Sequence, residues 1–556
     1  MKLLFKKFVL VILDGFGVAS SSPGNAITSA SMPAFDRLVN EFPGVTLQAA
    51  GPNVGLPWGE AGNSEVGHTC IGAGRVVSQD GPRIDREITA GKFANNPVLR
   101  EVFEHVKGKK STLHIISLLG DGGVHASQLH IYAVLQAAVE AQVESVTLHA
   151  ITDGRDSAPD AGLSQMKELE RRLLSYGIGR IGSVMGRFYA MDRALHWELT
   201  EAAYRCIVLG EGKQSTSPTL LLSEYYGQNI FDEIIPPTII VQPNQERPVV
   251  HPGDAVLMLN FRPDRGVQLA RAFGQPAAVP FVEKLPPLRD FLFATMTEYA
   301  ADLPVKVLFP KIVVKNTLPE VLAASGKRQY HIAEREKYAH VTYFFSSGRQ
   351  QPATGEDWDI LASSTSYEDR YQNVPEMAAR PLTERLLEKL SASYDFYVVN
   401  YANPDMVGHT GNLEASIKAV EVIDECLHKL ADYAKGHPDT LLFITSDHGN
   451  VEEKRNEVTG KVSTAHTTNP VPFLMIGQGL ERKTRLDQGY EHLAAVVPEG
   501  LLSDIAPTVL SVMSIEKPID MTGVSLLPLL LDQVQSNIEH PSSIDSRSIS
   551  SVLTRR

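Results

Sequence analysis

Three apolar runs that each lead into an aspartate constrain the fold of this 556-residue chain most strongly. The runs are rich in β-branched and aromatic residues and cover residues 8–15, 394–409 and 440–450. Uninterrupted runs of this kind are typical of parallel strands that are buried on both faces. Ligands of open α/β sheets bind just outside the carboxyl ends of such strands. We therefore expect three side chains to converge at one edge of a sheet, those of Asp14, Asp405 and Asp447.

Three histidines lie close in sequence to these aspartates. His409 follows Asp405 by four residues, His448 is next to Asp447, and His466 lies in the segment AHTTNP. A single aspartate or histidine in such a place is more often a helix cap or a core residue, whereas six of them together indicate metal binding. Mixed carboxylate and imidazole ligands suit Mn²⁺ or Zn²⁺, and this number is enough for two ions. Two ions about 3.5 to 4 Å apart are the usual arrangement for in-line phosphoryl displacement.

Ser64 is the candidate nucleophile for such a displacement. It lies in the stretch 61–75, between Asn63, a good helix N-cap residue, and Glu65, which favours a first helical turn. We predict that a helix begins here, that Ser64 is exposed, and that backbone N–H groups face a phosphate attached to it. The alternative is an ordinary N-cap serine. The metal-type ligands elsewhere in the chain favour phosphoryl transfer through a metal-activated serine.

Nine stretches of the chain match the motifs of one enzyme family, in the family's order. They are LDGFG (13–17), GNSEVGHTCIGAGRVV (62–77), ITDGRDS (151–157), GRFYAMDR (186–193), NFRPDR (260–265), EKYAHVTYFF (336–345), NYANPDMVGHTG (400–411), SDHGN (446–450) and AHTTNPVPF (465–473). On these motifs the chain resembles the cofactor-independent, or 2,3-bisphosphoglycerate-independent, phosphoglycerate mutases of the alkaline phosphatase superfamily. The resemblance implies interconversion of 3-phosphoglycerate and 2-phosphoglycerate, in glycolysis and gluconeogenesis, through a phosphoserine intermediate and without bisphosphoglycerate.

The resemblance also implies two divalent metal ions and a ligand set for each. We expect Mn²⁺, with Co²⁺, Mg²⁺ or Zn²⁺ as the other metals that such ligands accept. One ion would be held by Asp14, Ser64, Asp447 and His448. The other would be held by Asp405, His409 and His466.

The same resemblance implies catalytic and substrate-binding residues. Ser64 would be the nucleophile, Asp156 would move a proton between substrate oxygens, and Lys337 would offset charge on the transferred phosphoryl group. The residues expected to contact the substrate are His125, Arg155, Asp156, Arg187, Arg193, Arg262, Arg265 and Lys337. Two segments depart from the family pattern, residues 194–196 and residues 361–377, and we expect them to affect local support and rate but not the chemistry.

Because both ends of the chain contribute metal ligands, we expect them to form one domain. The prediction is an alkaline-phosphatase-like, doubly wound α/β sheet domain from residues 1–77 and 314–532, with residues 78–313 inserted in it as a second α/β domain. Strand-like runs alternate with helical stretches in the insertion, which supports this division. Residues 533–556 are a serine-rich tail that we expect to be disordered.

Cationic groups end the apolar runs of the insertion. One arginine at a strand end is usually a solvated surface charge, but five of them in glycine- or proline-bearing turns indicate a site for a small polyanion. Guanidinium groups pair bidentately with carboxylate and phosphate oxygens, and phosphoglycerate carries one group of each kind. We therefore expect the insertion to bind the substrate.

Composition excludes some classes of partner. The net charge of -13 argues against nucleic acid or an anionic membrane, since both favour basic surfaces. No segment approaches the roughly 20 apolar residues of a membrane span. The basic start of the chain, followed by six apolar residues and Asp14, is interpreted as the first strand and not as a signal peptide. Three widely spaced cysteines form no metal motif or disulfide framework. We expect a cytoplasmic monomer that acts on a small molecule.

Two other functions stay open. A phosphatase, sulfatase or phosphopentomutase on the same core would share the metal ligands but not the HASQLH, TDGRDS and NFRPDR segments that this chain carries. A catalytically inactive protein that senses phosphoglycerate or metal would be expected to have lost Ser64 or a ligand, and all of them are present.

Overall fold

The computed structural model describes residues 5–535 except 283–284, 286–287, 364–367 and 457–458. Part of the unusual segment 361–377 therefore lies outside the described residues. The chain divides into two compact units. The discontinuous unit comprises Met1–Ser78 and Val313–Arg556, and the inserted unit comprises Gln79–Ile312. Both divisions lie one residue from the boundaries expected from the sequence.

The described residues contain sixteen strands that form two sheets of eight strands each. The strands are β1 (Lys7–Leu13), β2 (Gly44–Gln48), β3 (Leu113–Leu119), β4 (Val146–Thr152), β5 (Arg180–Gly186), β6 (Lys213–Ser215), β7 (Thr238–Ile240), β8 (Ala255–Met258), β9 (Leu292–Thr297), β10 (Lys306–Phe309), β11 (Gln329–Glu334), β12 (Glu356–Leu361), β13 (Phe396–Tyr401), β14 (Thr440–Thr445), β15 (Val471–Ile476) and β16 (Gly500–Leu501).

The helices connect these strands and cover the faces of the sheets. Those in the described residues are α1 (Ala26–Ser29), α2 (Pro33–Glu41), α3 (Ser64–Ala73), α4 (Asp80–Thr89), α5 (Pro97–Lys109), α6 (Gln128–Glu140), α7 (Gly162–Tyr176), α8 (Arg187–Ala190), α9 (Trp197–Leu209), α10 (Pro218–Tyr226), α11 (Val267–Gly274), α12 (Leu318–Ala324), α13 (Ala379–Leu390), α14 (Asn403–Gly408), α15 (Leu413–Gly436), α16 (Tyr490–Ala495), α17 (Ile505–Val512) and α18 (Leu527–Gln535). No helix of the described part is long and apolar enough to span a membrane.

The sheet of the discontinuous unit has the order β12-β11-β13-β1-β14-β15-β2-β16. β1 lies between β13 and β14 and pairs parallel with both, with Leu13 opposite Tyr401 and Ile12 opposite Thr445. The three predicted strands are therefore adjacent and end at the same edge of the sheet, which confirms the prediction. Residues immediately after them are brought close together by this register.

Both faces of β1 are buried, which explains its uninterrupted apolar sequence. Val9 and Val11 pack in one core with residues of α2, α13 and α15, whereas Leu10 and Ile12 pack in another with residues of α3 and α17. Alternate side chains of one strand thus enter two different cores, and a sheet with helices on both faces is the doubly wound α/β fold that we predicted.

The sheet of the inserted unit has the order β10-β9-β8-β3-β4-β5-β7-β6. Its central strands β8, β3, β4 and β5 are mutually parallel. These strands alternate with helices along the chain, as the strand-like runs of the insertion indicated. Their carboxyl ends lie side by side, so the loops that follow them meet at one edge.

The C-terminal tail begins later than residue 533, where we placed it. Helix α18 continues to Gln535. The Gln533 side chain is buried and is held by both backbone groups of Gly44, with distances of 3.0 and 3.1 Å. Two hydrogen bonds to β2 therefore fix this part of the chain. Residues 536–556 lie outside the described residues.

Candidate active site

The three predicted aspartates converge at the carboxyl edge of the discontinuous sheet. Lys337 Nζ lies 2.6 Å from Asp14 Oδ1 and 2.6 Å from Asp405 Oδ2. His448 Nε2 lies 3.5 Å from Asp14 Oδ1 and 3.6 Å from Asp447 Oδ2. All five side chains are buried. The cluster is thus an enclosed set of carboxylates and imidazole around one ammonium group.

Ser64 is the first residue of helix α3, and its hydroxyl points into this cluster. Its Oγ lies 2.7 Å from Lys337 Nζ, 2.9 Å from His448 Nε2 and 3.2 Å from Asp14 Oδ1. Asn63 caps the helix, with its side chain accepting from the Val66 N–H at 3.1 Å. The predicted helix start is confirmed.

The prediction that Ser64 is exposed is wrong, since only 6% of the residue is accessible. Helix α3 packs directly against the loop after β14. A Cβ atom on Gly67 would lie 2.5 Å from the Asp447 carbonyl oxygen, so the helix approaches this loop as closely as a glycine permits. That approach places the serine beneath the surface.

A second group of ligands lies around Asp405. His466 Nε2 and His409 Nε2 lie 3.1 and 3.3 Å from Asp405 Oδ1, and 2.9 Å from one another. The Nδ1 atom of each ring lies 2.8 Å from a backbone carbonyl oxygen, that of Gly62 or Thr464. A ring that carries one proton holds it on Nδ1 in this arrangement, and its Nε2 is then the atom available to a metal ion.

These donor sets fit divalent metal ions. Two groups of three residues have ligand atoms within 4.8 Å of one another, Asp405 with His448 and His466, and Asp14 with Asp447 and His448. Asp447 Oδ2 is buried and accepts no hydrogen bond from the described residues. Convergent acceptor atoms with an unsatisfied carboxylate oxygen are the environment that a cation stabilises.

The electrostatics of the cluster keep its members charged. Burial raises the pKa of Asp14, but Lys337 and His448 together outweigh this and hold the pKa well below its usual range. Burial lowers the pKa of Lys337, and the charges of Asp14 and Asp405 more than reverse that effect. Burial lowers the pKa of His448, but Asp447, Asp14 and Asp405 together outweigh this and raise the pKa to about 9. Ser64 is therefore surrounded by ionised groups in a water-poor site, where charge interactions are strong.

Polar residues that sequence reasoning did not select support this cluster. Asn450 Nδ2 donates to Asp405 Oδ1 at 2.8 Å. Glu452, 1% exposed, accepts from the backbone N–H groups of Gly17 at 3.0 Å and Asn450 at 2.8 Å, and so joins the loops after β1 and β14. Both residues lie within five positions of Asp447. Two polar residues so soon after a candidate ligand at a strand end could have been recognised in the sequence as its supports.

The carboxyl ends of four strands in the inserted unit carry the predicted cationic cluster. His125 lies in the loop after β3, Arg155 and Asp156 follow β4, Arg187 follows β5 directly, and Arg262 lies after β8. Since these strands are parallel neighbours, the side chains share one edge of the sheet. Lys337, which we grouped with them, belongs to the discontinuous unit and contacts Ser64.

Asp156 and Asp153 hold the buried arginine of this cluster. Arg187 Nη1 donates to Asp156 Oδ2 at 2.6 Å and also to Asp153 Oδ1. His125 Nε2 lies 3.9 Å from the same Asp156 oxygen. Burial and the charge of Arg187 lower the pKa of His125 to about 4, so this imidazole is neutral near pH 7. Asp153 was not selected from the sequence, although it lies in the TDGRDS motif.

A second carboxylate, also missed, organises the remaining arginines. Asp264 accepts from Arg193 Nη1 at 2.6 Å and lies 3.1 Å from Arg262 Nε, and its Oδ1 is 3.5 Å from His125 Nδ1. Both guanidinium groups are about half exposed, at 53% and 51%. Asp264 lies inside the NFRPDR motif, and this position could have identified it from the sequence.

Arg265 and Arg155 complete the cluster. Burial and the charges of Arg187, Arg193 and Arg155 lower the pKa of Arg265 below its usual range. Arg155 Nη1 lies 3.4 Å from Glu233 Oε1 and is 56% exposed. A guanidinium group destabilised by like charges shows an excess of positive charge, which an anion would relieve.

Two family profiles match the chain over separate stretches. The profile described as BPG-independent PGAM N-terminus matches residues 84–301. The profile described as type I phosphodiesterase / nucleotide pyrophosphatase matches residues 308–494. The first match lies in the inserted unit, and the second lies almost entirely in the discontinuous unit.

Curated relatives match nearly the whole chain. A protein of Clostridium perfringens strain SM101, named 2,3-bisphosphoglycerate-independent phosphoglycerate mutase, is 43% identical over 524 residues, which cover 94% of this chain and 99% of the relative. One of the same name from Moorella thermoacetica is 42% identical over 522 residues, covering 94% and 98%. The chain belongs to this family.

A solved phosphoglycerate mutase also matches. The Leishmania mexicana enzyme, crystallised at low cobalt concentration, superposes with a TM-score of 0.60 at 30% identity, covering 94% of this chain and 98% of that one. The family that the motifs indicated is thus confirmed, and a phosphatase or phosphopentomutase is not favoured.

The departure from the usual phosphoglycerate mutase pattern after Arg193 has its own local support. Asp192 Oδ1 accepts from the backbone N–H groups of Ala194 and His196, both at 3.0 Å. His196 Nδ1 lies 3.0 Å from Asp192 Oδ2. The turn is therefore closed by hydrogen bonds among its own residues, and it keeps Arg193 beside Asp264.

Proposed function

We propose that the chain interconverts 3-phosphoglycerate and 2-phosphoglycerate through a phosphoserine on Ser64, without bisphosphoglycerate. The observation that carries the proposal is the position of Ser64 Oγ, 2.7 Å from Lys337 Nζ and 2.9 Å from His448 Nε2, in a chain 43% identical to family members along almost its full length. A serine hydroxyl at a helix N-terminus among charged groups is placed to act as a nucleophile.

Two divalent ions belong to this proposal, with Mn²⁺ as the native metal and Co²⁺, Mg²⁺ or Zn²⁺ as substitutes. The residues that would hold one ion are Asp14, Ser64, Asp447 and His448. Those that would hold the other are Asp405, His409 and His466. Bound there, divalent ions lower the pKa of a serine hydroxyl and offset charge on a phosphoryl group.

The transfer proceeds in two half-reactions on this chain's own groups. Ser64 Oγ forms a bond to phosphorus as the bond from phosphorus to the 3-oxygen of the substrate breaks, which leaves phosphoserine and glycerate. The 2-oxygen of glycerate then takes the phosphoryl group from Ser64. Lys337, fixed by two carboxylates, offsets the charge on the transferred group in both directions.

Proton balance requires one group that serves both glycerate oxygens. The 3-oxygen gains a proton when it leaves, and the 2-hydroxyl loses one when it attacks, while Ser64 attacks as the deprotonated alkoxide and is released as one. We assign this proton transfer to Asp156, whose Oδ2 is held by Arg187 at 2.6 Å and faces the neutral ring of His125. The arginine cluster is assigned to the carboxylate and phosphate of the substrate, because guanidinium groups pair with both.

We further propose a cytoplasmic monomer whose partner is this small anionic substrate and not nucleic acid or membrane. The net charge of -13 supports the exclusion of polyanionic partners. The three cysteines are buried and unpaired, as in a reducing compartment.

The test is the Ser64→Ala variant. Turnover of 3-phosphoglycerate is expected to fall by at least about 10³-fold, since removal of a nucleophile abolishes the covalent route. Ser416→Ala is the matched control, because Ser416 is also a buried helical serine, and its hydroxyl donates to the Asn412 carbonyl of its own helix start, at 2.9 Å. Circular dichroism checks that both variants fold. Residual mutase activity of a few per cent in Ser64→Ala would contradict the phosphoserine route.

A further inference from the structure

Two fully buried residues that no proposed step uses join the nucleophile to two of the aspartates. His68 lies one helical turn after Ser64 in α3, and Asn400 lies in β13. Both have 0% exposure. Their side chains meet at 3.0 Å, from Asn400 Nδ2 to His68 Nε2, although they are separated by 332 positions. Burial of polar side chains in a core is costly, and hydrogen bonds offset that cost. Asn400 Oδ1 accepts no hydrogen bond from the described residues.

The direction of each hydrogen bond in this network follows from the chemistry of its members. Asn400 Nδ2 lies 2.7 Å from Asp14 Oδ2. An ionised carboxylate only accepts, so the amide nitrogen and not the amide oxygen must face Asp14. The second hydrogen of that nitrogen then points to His68 Nε2, which must accept it.

The remaining proton of the neutral His68 ring is therefore on Nδ1. That atom lies 2.9 Å from the Ser64 carbonyl oxygen and 3.1 Å from Asp447 Oδ2. Both of these oxygens are acceptors. The amide thus donates to Asp14, and the imidazole donates to the Ser64 carbonyl. The same imidazole hydrogen lies near Asp447 Oδ2, at a Nδ1–Oδ2 distance of 3.1 Å, without forming a hydrogen bond to it.

We propose that His68 and Asn400 are positioning residues that fix Asp14, Asp447 and the first turn of α3 as one unit for metal binding; the inference rests on the proposed function of that cluster. Without the Nδ1 hydrogen, the Asp447 carboxylate loses the polar hydrogen that lies near its Oδ2 atom and keeps the Gly15 N–H on Oδ1. Without the amide, the Asp14 carboxylate loses its hydrogen bond to β13, although the Asp14 backbone keeps its own. In metal sites, removal of such supporting hydrogen bonds costs about 10- to 100-fold in affinity.

A matched pair of His68 variants separates this role from ordinary packing. The amide nitrogen of asparagine occupies the place of Nδ1, whereas that of glutamine occupies the place of Nε2. His68→Asn keeps a donor toward Ser64 and Asp447, and His68→Gln removes it. Asn400→Leu, similar in shape to asparagine, removes the donor to Asp14 and provides a second independent variant.

His331→Gln is the control for loss of a buried imidazole. His331 lies in β11 with 0% exposure, and its Nδ1 lies 2.7 Å from the Val341 carbonyl and 3.6 Å from Glu356. It therefore makes the same kind of contacts as His68 but touches none of the proposed metal ligands among the described residues. A lower melting temperature without a change in metal affinity is expected for this variant.

The experiment titrates chelator-treated full-length protein with Mn²⁺ and measures the free ion by electron paramagnetic resonance, with turnover measured in parallel. His68→Gln and Asn400→Leu are expected to weaken Mn²⁺ binding by about tenfold or more, and His68→Asn to stay within about threefold of the unmodified protein. Unchanged Mn²⁺ binding in His68→Gln, or equal loss in His68→Asn and His68→Gln, would overturn the inference. If His68→Gln does not fold, the test depends on Asn400→Leu. Unchanged Mn²⁺ binding in Asn400→Leu would then overturn the inference.

The unmodified protein separates this inference from the proposed function. If it binds Mn²⁺ and turns over substrate while the variants match it, only the positioning role fails. If the unmodified protein binds no Mn²⁺, the proposed metal site fails, and the inference falls with it.

Discussion

Lys337 Nζ lies 2.6 Å from Asp14 Oδ1, although the two residues are 323 positions apart. Asp14 follows the central strand β1, and Lys337 follows β11, two strands away in the sheet. Both ends of the chain therefore build one cluster, and the ammonium group touches the serine hydroxyl as well, at 2.7 Å. A fixed positive charge beside the proposed nucleophile is a property that the proposed phosphoryl transfer requires.

Removal of Arg262 is expected to shift the balance between transfer and hydrolysis. The Arg262 guanidinium lies 3.1 Å from Asp264 and is about half exposed, so it is available to an anion. In Arg262→Ala, mutase turnover should fall by about 10- to 100-fold, the value of one charge-assisted hydrogen bond, while the ratio of free phosphate to 2-phosphoglycerate rises. The measurement follows both products in one reaction.

Arg271→Ala is the control for that experiment, because Arg271 pairs with Asp302 in the same unit without touching the cationic cluster within the described residues. It should leave the product ratio unchanged. An unchanged ratio in Arg262→Ala as well would count against a role for this arginine in holding the substrate.

Replacement of Gly15 is expected to disrupt the ligand cluster. Gly15 has φ +75°, and a Cβ atom there would lie 2.8 Å from Asp405 Cα. Gly15→Ala should therefore lose about 1–3 kcal/mol of unfolding free energy from backbone strain and, because the loop must move, most of its turnover. Denaturant unfolding and turnover assays measure the two effects.

Gly326→Ala is the control that separates backbone strain from the steric contact with Asp405. Gly326 has φ +70° in the same unit, but the space around a Cβ atom there is open. It should show the strain cost with normal turnover. Equal activity of the two variants would mean that the approach of Gly15 to Asp405 does not matter for the reaction.

The inserted unit should lose stability as pH falls, because it buries a histidine pair. His149 Nε2 lies 3.0 Å from His114 Nδ1, and His114 Nε2 lies 3.2 Å from Asp254. Burial, together with the charges of His114 and Arg180, holds the pKa of His149 well below its usual range, and burial lowers that of His114 despite Asp254.

The sign of this effect follows from proton binding. Below about pH 6.5 the unfolded imidazoles bind protons that the folded ones exclude, so stability is complete above that pH and falls below it. The slope is at most about 1.4 kcal/mol per pH unit for each imidazole. Urea unfolding from pH 7.5 to pH 5 should give a shallower slope for His149→Gln than for the unmodified protein. The exposed His437→Gln should not change the slope, and equal slopes for all three proteins would contradict the prediction.

The sheet and the convergence of the three aspartates could be predicted because the signals are local. Each of the three apolar runs leads into an aspartate, so Asp14, Asp405 and Asp447 are identified by the strands that carry them. The burial of Ser64 could not be predicted in this way, because it depends on the approach of α3 to a loop almost 400 positions away.

The supporting residues were missed for a related reason. Asn400 interrupts an apolar strand, and His68 lies on a helix, but neither has a spacing that points to the other. Asp264 pairs with two of the predicted arginines, Arg193 and Arg262. In the sequence, however, an aspartate next to arginines is also what an ordinary surface ion pair looks like. Only the folded chain shows which of these polar residues share hydrogen bonds.

The most direct measurement is turnover of 3-phosphoglycerate by chelator-treated protein, with bisphosphoglycerate absent, Mn²⁺ added or withheld, and free phosphate followed in parallel. We expect Mn²⁺ to restore 2-phosphoglycerate formation with little free phosphate. We expect no product when Mn²⁺ is withheld. Free phosphate without 2-phosphoglycerate, or no turnover with Mn²⁺, Co²⁺, Mg²⁺ or Zn²⁺, would contradict the proposed function.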